Sequence, residues 1–463
     1  MASSSSSSSS SLLLFLSLLL LLPYITSSNI ITISISHLPT NPHPYPYQHL
    51  SYLANSSLKR ARHLKNPQTT PPHTNTKIPL FSQSYGEYSI PLSFGTPPQT
   101  LPFIMDTGSD LIWFPCSKKY QCINCSTYHS NTVKIKSFIP NLSSSSKPLA
   151  CLNPKCAMVY PKIHCPDCKL GSKNCTRRCP WYTYPYGSGD TSGSLLSETL
   201  HLPNRRVPDF LVGCSIRATY QPAAGIAGLG RGPASLPAQL AIKKFSYCLL
   251  SRLFDDTNKS SSLVLVGGKD SVKKTKGVSY TPFVKNPEVP GKRAFLNYYY
   301  YVGLRRITVG GRRVKIPYRY LRLDKNGSGG TIVDSGTTLT HMAPEVLERV
   351  AGEFEKLTKG YKRAEEVEAL TRLRPCYNVS GIETPMFPSL TFHFKGGAEM
   401  ALPEENYMAP AAWEVLCLAI RSDNLPVISS GPSIILGSFQ MQNYHVEFDL
   451  QNERFGFKQQ QCN

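Results

Sequence analysis

IMDTGSDLIW (residues 104–113) and TIVDSGTTLT (residues 331–340) are the stretches whose joint reading decides the fold. Each runs from apolar, β-forming residues into an aspartate, then a small hydroxyl residue, a glycine and a second hydroxyl residue. Alone, Asp-Thr-Gly reads as a turn leaving a strand. A carboxylate after such an apolar run is costly to bury unless its charge finds a partner. Asp334 follows Asp106 by 228 residues. About a hundred residues after each turn comes an apolar segment with a glycine, GIAGLG (225–230) in the first half and SIILGSF (433–439) in the second. The same order occurring twice indicates an internal duplication, and that governs the fold.

Two like halves related by a pseudo-twofold axis bring the turns face to face. Two carboxylates a few ångströms apart cannot both ionise easily, so they share a proton and titrate as a pair. The ionised oxygen takes a proton from a water while the protonated partner polarises a carbonyl. Gly108 and Gly336 let the turns approach and donate backbone N–H groups. Ser109 and Thr337 stand where they bond the outer carboxylate oxygens, and Thr107 and Ser335 where they tie the turns together across the axis. A third stretch, TYPYGSGDTSGSLL (183–196), has alternating β character and a glycine-rich tip. It reads as a hairpin lid in which Tyr186, Gly187 and Ser188 cover the substrate.

The remainder of the chain sets the context. Of 463 residues, the first 28 hold an apolar run, Leu12–Leu22, broken only by Ser17. That is too short for a bilayer span and suits a signal peptide over residues 1–28. Residues 29–80 are rich in Pro, His, Ser and Thr and read as a propeptide or flexible leader. The expected N-terminal half is 81–266, with a cysteine-rich insertion, and the C-terminal half 267–463. Nine of the 14 cysteines fall between Cys116 and Cys179. In an exported chain this favours a disulfide-stapled insertion over zinc, so no metal is expected. Seven glycosylation sequons begin at Asn55, Asn124, Asn141, Asn174, Asn258, Asn326 and Asn378. Helical signals are few; the best is 343–360, where Val346, Leu347, Val350, Phe354 and Leu357 share a face.

The formal net charge is +21, of which residues 81–463 carry +16. In a secreted protein this points to anionic cell-wall polysaccharide rather than nucleic acid. RRITVGGRRVKIPYRYLR (305–322) reads as a hairpin turning at Gly310-Gly311 with a solvated basic face. DKNGSG (324–329) mimics an EF-hand start, but the twelfth position is Ser335 and the bidentate Glu is missing. No Gly-x-Ser-x-Gly elbow is present, which excludes the common serine hydrolase arrangement.

Together the two turns, the YGSG tip, GIAGLGR, IILGSF and Trp113, seven residues after Asp106, resemble the pepsin-like aspartic endopeptidases from about Tyr85 to Phe457. Aspartic proteases are the standard case of two carboxylates sharing one proton. The resemblance implies an all-β, bilobal double β-barrel with a cleft between pseudo-symmetric lobes. It implies Asp106 and Asp334 as catalytic pair, Tyr186 as flap tyrosine bonded by Trp113, and no cofactor. The substrate is then a polypeptide, bound by a monomer with no membrane association. The cysteine insertion after WFPC, FSYCL (245–249) and the DSGTT form resemble the plant nepenthesin-like branch. That likeness implies bridges Cys248–Cys462 and Cys376–Cys417 and leaves the ten N-terminal cysteines unpaired on paper. It also gives residues 29–80 a role as propeptide, whose cations pair with the acids near neutral pH and block the cleft. The expected location is the extracellular space or cell wall, alternatively the vacuole. Some relatives on this scaffold are inhibitors of cell-wall glycoside hydrolases or storage globulins, so a non-catalytic binder is the alternative. Damage to an acid, its glycine or the flap tyrosine usually accompanies that reading, and here all are present.

Overall fold

A computed structural model of the chain describes residues 30–37, 46–65, 88–123, 135–166, 168, 177–186, 189–222, 224–251, 261–268, 273–422 and 431–462. The protein is mostly β-strand with few helices. Strand β1 (Ile30–His37) and helix α1 (Pro46–Lys65) come first, then β2 (Tyr88–Phe94), β3 (Gln99–Asp106) and β4 (Trp113–Pro115). A long hairpin region follows, β5 (Tyr182–Pro185), β6 (Asp190–Leu202) and β7 (Arg205–Thr219), then β8 (Gly225–Gly228), β9 (Lys244–Cys248) and β10 (Ser261–Val266). The second half contributes β11 (Thr331–Val333), β12 (Thr340–Met342), α2 (Pro344–Leu357), α3 (Glu365–Thr371), β13 (Ile420–Ser422), β14 (Ile434–Leu436) and β15 (Tyr444–Asp449).

The duplication seen in sequence is visible in the strand pairing. β3 runs parallel to β8 with Asp106 opposite Gly228, and β8 pairs antiparallel with β4. β11 runs parallel to β14 with Val333 opposite Leu436, and β14 pairs antiparallel with β12. Each aspartate therefore leaves a strand whose parallel neighbour is the later apolar-glycine segment. The strands are buried on both faces, as short parallel strands in a core must be. Aromatic rings pack beneath them, with Phe94 and Phe114 centroids 5.4 Å apart and Phe245 stacked on Phe448 at 4.6 Å.

Part of the segment expected as a flexible leader is folded. β1 lies inside the large sheet, paired with β10 on one side and with Tyr88–Ser89 of β2 on the other. Its burial alternates, Ile31, Ile33 and Ile35 facing in, which is the period of a half-buried strand. α1 buries Leu50, Leu53, Ala54, Ser57, Leu58, Ala61 and Leu64, the three-and-four spacing of one helix face. It packs against β12, β13, α3 and the strand Met408–Ala412 of the second half. By contrast α2 forms where its apolar spacing predicts, burying Val346, Leu347, Val350 and Phe354, with Leu357 half-buried.

Described disulfides join Cys116 to Cys214, Cys151 to Cys165, Cys156 to Cys179, Cys248 to Cys462 and Cys376 to Cys417. Among the described residues no cysteine is free and no cluster suits a metal ion. The basic hairpin forms over Leu304–Arg313 and turns at Gly310 and Gly311, both left-handed at φ 55° and 75°. Asn55, Asn141 and Asn326 are exposed and Asn378 half-buried; Asn124, Asn174 and Asn258 lie outside the described residues, as do residues 1–28. No described helix is long and apolar enough to cross a membrane.

Candidate active site

Asp106 closes β3 and Asp334 follows β11, and the two turns meet with both acids fully buried. The local geometry is duplicated bond for bond. The Gly108 N–H donates to Asp106 Oδ1 at 2.9 Å and the Ser109 hydroxyl to Oδ2 at 2.6 Å. The Gly336 N–H donates to Asp334 Oδ1 at 3.0 Å and the Thr337 hydroxyl to Oδ2 at 2.6 Å. Across the axis, the Thr107 N–H donates to Ser335 Oγ at 3.1 Å and the Ser335 N–H to Thr107 Oγ1 at 2.9 Å. Each hydroxyl then donates onward to a carbonyl of the opposite strand, Val333 and Met105 respectively. Two short hydroxyl side chains thus lock the two turns together, so the carboxyl separation is set by buried, fully bonded groups.

The glycines of the turns face the opposite acid. A Cβ on Gly108 would lie 2.7 Å from an Asp334 oxygen, and one on Gly336 2.5 Å from an Asp106 oxygen. No side chain other than hydrogen fits there without displacing a carboxylate.

Tyr186 closes the tip between β5 and β6, its N–H donating to the Gly189 carbonyl. The Trp113 indole N–H donates to the Tyr186 hydroxyl at 2.8 Å and holds the ring down. Gly187 and Ser188 fall outside the described residues.

One partner of the acids was not singled out in sequence. Arg60, from α1, is 3 % exposed and reaches between them. Its Nη2 donates to Asp106 Oδ1 at 2.5 Å and its Nε to Asp334 Oδ2 at 3.1 Å. The planar guanidinium suits two carboxylates presented side by side. Burial pushes the Asp106 carboxyl up to about 6; Arg60 and the bonds from Ser109 and Gly108 pull it down, and Asp334 pushes it up again.

A third acid, Asp110, lies four residues after Asp106 and is also buried. Its Oδ1 accepts the Gly232 N–H at 2.9 Å. Gly230 and Gly232 leave room for it, a Cβ on Gly232 falling 1.8 Å from Oδ2. The neighbouring contacts, Leu229 N–H to the Asp106 carbonyl and Gly230 N–H to the Ser109 carbonyl, bind the same loop to the first turn. Burial pushes the Asp110 carboxyl up to about 7, with Asp106 adding to the rise and the Gly232 bond opposing it. An acid raised in the fold binds its proton more tightly folded than unfolded. Its ionisation therefore erodes stability as pH rises from about 4 to about 7, by roughly 1.4 kcal/mol per pH unit. Asp110→Asn keeps the oxygen acceptor and removes the charge. We expect this variant to match the wild type near pH 4 and to unfold at a higher temperature near pH 7, as read by calorimetry of the full chain. Equal melting temperatures at pH 7 would refute the assignment.

Residues 88–268 match the family model described as Xylanase inhibitor N-terminal and residues 299–459 the one described as Xylanase inhibitor C-terminal. Among curated proteins, a probable aspartyl protease of Arabidopsis thaliana is 32 % identical over 83 % of this chain and 84 % of its own length. Aspartic proteinase nepenthesin-1 of Nepenthes gracilis is 34 % identical over 81 % of this chain and 78 % of its own. Among solved structures, one titled edgp superposes with a TM-score of 0.64 over 94 % of this chain and 95 % of its own, at 18 % identity. Basic 7S globulin from soybean gives 0.60 over 94 % and 98 %, at 17 % identity. These last two speak for the fold alone.

Proposed function

Because the chain belongs to the plant pepsin-like, nepenthesin-like family of aspartic proteases, we propose that it is an acid endopeptidase with Asp106 and Asp334 as its catalytic pair. The observation that carries this reading is the duplicated bonding of two buried carboxyls across a hydroxyl-locked axis. Each carboxyl has one oxygen bonded to a turn N–H and the other to a hydroxyl, which fixes both planes. Between them a water loses a proton to the ionised carboxylate and attacks the peptide carbonyl. The protonated partner donates to the carbonyl oxygen, and the proton then passes to the leaving nitrogen. Tyr186, held by Trp113, closes over the peptide and excludes bulk water. The cleft belongs to a bilobal scaffold, its lobes meeting along the locked axis.

In the full chain that site is filled. Residues 29–80 act as a propeptide, with Arg60 as the plug between the acids. The pairing needs ionised carboxylates, so its grip weakens as pH falls through about 6, where Asp106 takes up its proton. Residues 1–28 direct export, and the active form works outside the cell, in the wall or in the vacuole. The sequons on exposed Asn55, Asn141 and Asn326 carry glycans.

The inhibitor reading has the names of the two family models in its favour. Against it stand both intact turns and the Trp113–Tyr186 bond, which a pure binder does not require. The test is cleavage of a denatured proteome between pH 3 and pH 7 by a chain beginning at residue 81. We expect peptide-bond cleavage confined to the acid range and stopped by a statine-type inhibitor. Absence of cleavage at every pH, with the fold intact by circular dichroism, would overturn the proposal.

A further inference from the structure

Outside the dyad, cations gather without matching acids at one place. A cavity of about 370 Å³ opens between the first turns of α2, the end of α3 and β13. Its polar lining is Glu348, Glu368, Arg372, Arg374, Arg421 and Ser422. Both acids are already engaged. Glu348 pairs with Arg374 at 3.2 Å, while Glu368 pairs with Arg363 at 2.6 Å and accepts the Cys376 N–H at 2.7 Å. Arg372 is exposed and makes no ion pair among the described residues.

Arg421 is the unusual member. It is 4 % exposed, yet no carboxylate among the described residues reaches it. One Nη donates to the Arg372 carbonyl, and its Nε has no hydrogen-bond partner. Burial, with Arg372 and Arg62 nearby, pulls its guanidinium down to about 10, so it remains charged at any working pH. A buried charge with an unfilled donor is unfavourable until an anion completes it. Two donors on one planar edge suit a carboxylate.

The cavity borders the seat of the segment that fills the cleft. α1 packs on β13, which carries Arg421, and on α3, which leads into Arg372. α1 brings only more positive charge here, since Arg62 acts on Arg421 from that side. A peptide lying where α1 lies would pass the mouth of the cavity.

We propose that this cavity is a carboxylate-binding site of the cleft, with Arg421 as its anchor and Arg372 as its second cation. The inference rests on the endopeptidase reading for its use, but the binding itself does not. The carboxylate comes either from an acidic side chain of the bound peptide or from a free dicarboxylate, and two arms separate these sources.

In the first arm, glutarate and neutral glutaramide are titrated into the full chain at pH 6 and the melting temperature is followed. Glutarate should raise it and glutaramide should not, and Arg421→Gln should abolish the rise. Exposed Arg372→Gln, which leaves the core untouched, should weaken glutarate several-fold and keeps the test valid if the Arg421 variant fails to fold. In the second arm, the full chain at pH 4.5, where the Arg60 pairing has loosened, cleaves peptide pairs that differ by Glu or Gln at successive positions flanking the cut. An acidic side chain as ligand gives at least a tenfold preference in kcat/KM for Glu at one position, lost in Arg421→Gln or reduced several-fold in Arg372→Gln. Glutarate binding without that preference assigns the site to the free dicarboxylate. No arginine-dependent response to glutarate, and no Glu preference, overturns the site. A wild type that cleaves no peptide while glutarate still binds overturns the endopeptidase reading and leaves the site standing.

Discussion

Asp334→Asn, made in the chain beginning at residue 81, should lower kcat for an acid-cleaved peptide by about 10³-fold or more, with KM changed little. General acid–base catalysis by a placed side chain accounts for about 10²–10⁴-fold, and the amide removes both the acid and the base role of that carboxyl. Asn keeps the volume of Asp, so the Gly336 N–H still finds an oxygen acceptor, and the Thr337 hydroxyl, a donor to the carboxylate, turns to accept from the amide NH2 instead. The lock between Thr107 and Ser335 is untouched. The melting temperature should therefore stay near the wild-type value, which separates lost chemistry from lost fold. Asp106→Asn should behave alike, because its bonding is the mirror of the same pattern. Either variant retaining a tenth of the wild-type rate would show that the pair is not the catalytic unit.

Arg60→Gln in the full chain is expected to act in the opposite direction. Breaking a buried ion pair from one side costs about 3–5 kcal/mol. Here the stranded acids recover part of that by sharing a proton. The net loss should still loosen the segment enough to raise cleavage by the full-length chain at pH 5–6 by roughly 10²-fold. The same substitution is absent from the chain beginning at residue 81, whose activity supplies the ceiling. Lys at position 60 keeps the charge but not the fork that reaches Oδ1 of one acid and Oδ2 of the other, so Arg60→Lys should fall between. Unchanged activity in Arg60→Gln would mean that α1 blocks the cleft by bulk alone.

The geometry of the paired turns was legible because duplication is a property of order along the chain. Asp106, Asp334, their glycines and the hydroxyls at 107, 109, 335 and 337 occupy equivalent positions in two copies, and the structure bonds them equivalently. Tyr186 and Trp113 were legible only once the turns were known, since a tyrosine near a glycine-rich tip is ordinarily a loop residue. Less was read from residues 29–80. Their proline and serine content masked two periods that are present: ITISIS alternates by two, and Leu50, Leu53, Ala54, Leu58, Ala61 and Leu64 recur by three and four. Which cation meets the acids is another matter. Five stand in residues 1–80, and only the placement of the helix on the second half selects Arg60. Asp110 and Arg421 gave no signal either, because a burial cost depends on neighbours far along the chain, Gly232 for one and Arg372 with α1 for the other. The N-terminal cysteine pairing needed coordinates because ten cysteines allow many connectivities that spacing does not separate.

The position of β1 separates cutting from letting go. Ile30–Ile35 pairs with Ser261–Val266 on one side, and Ser36 and His37 pair with Ser89 and Tyr88 on the other. Severing the backbone near residue 80 breaks none of these pairings, nor the apolar face of α1. If residues 29–80 are the propeptide proposed above, a nicked molecule remains clasped as two fragments, silent until an interior strand is drawn out and two raw sheet edges are exposed. Onset of activity in such a molecule would then be timed by that extraction rather than by the protease that made the cut.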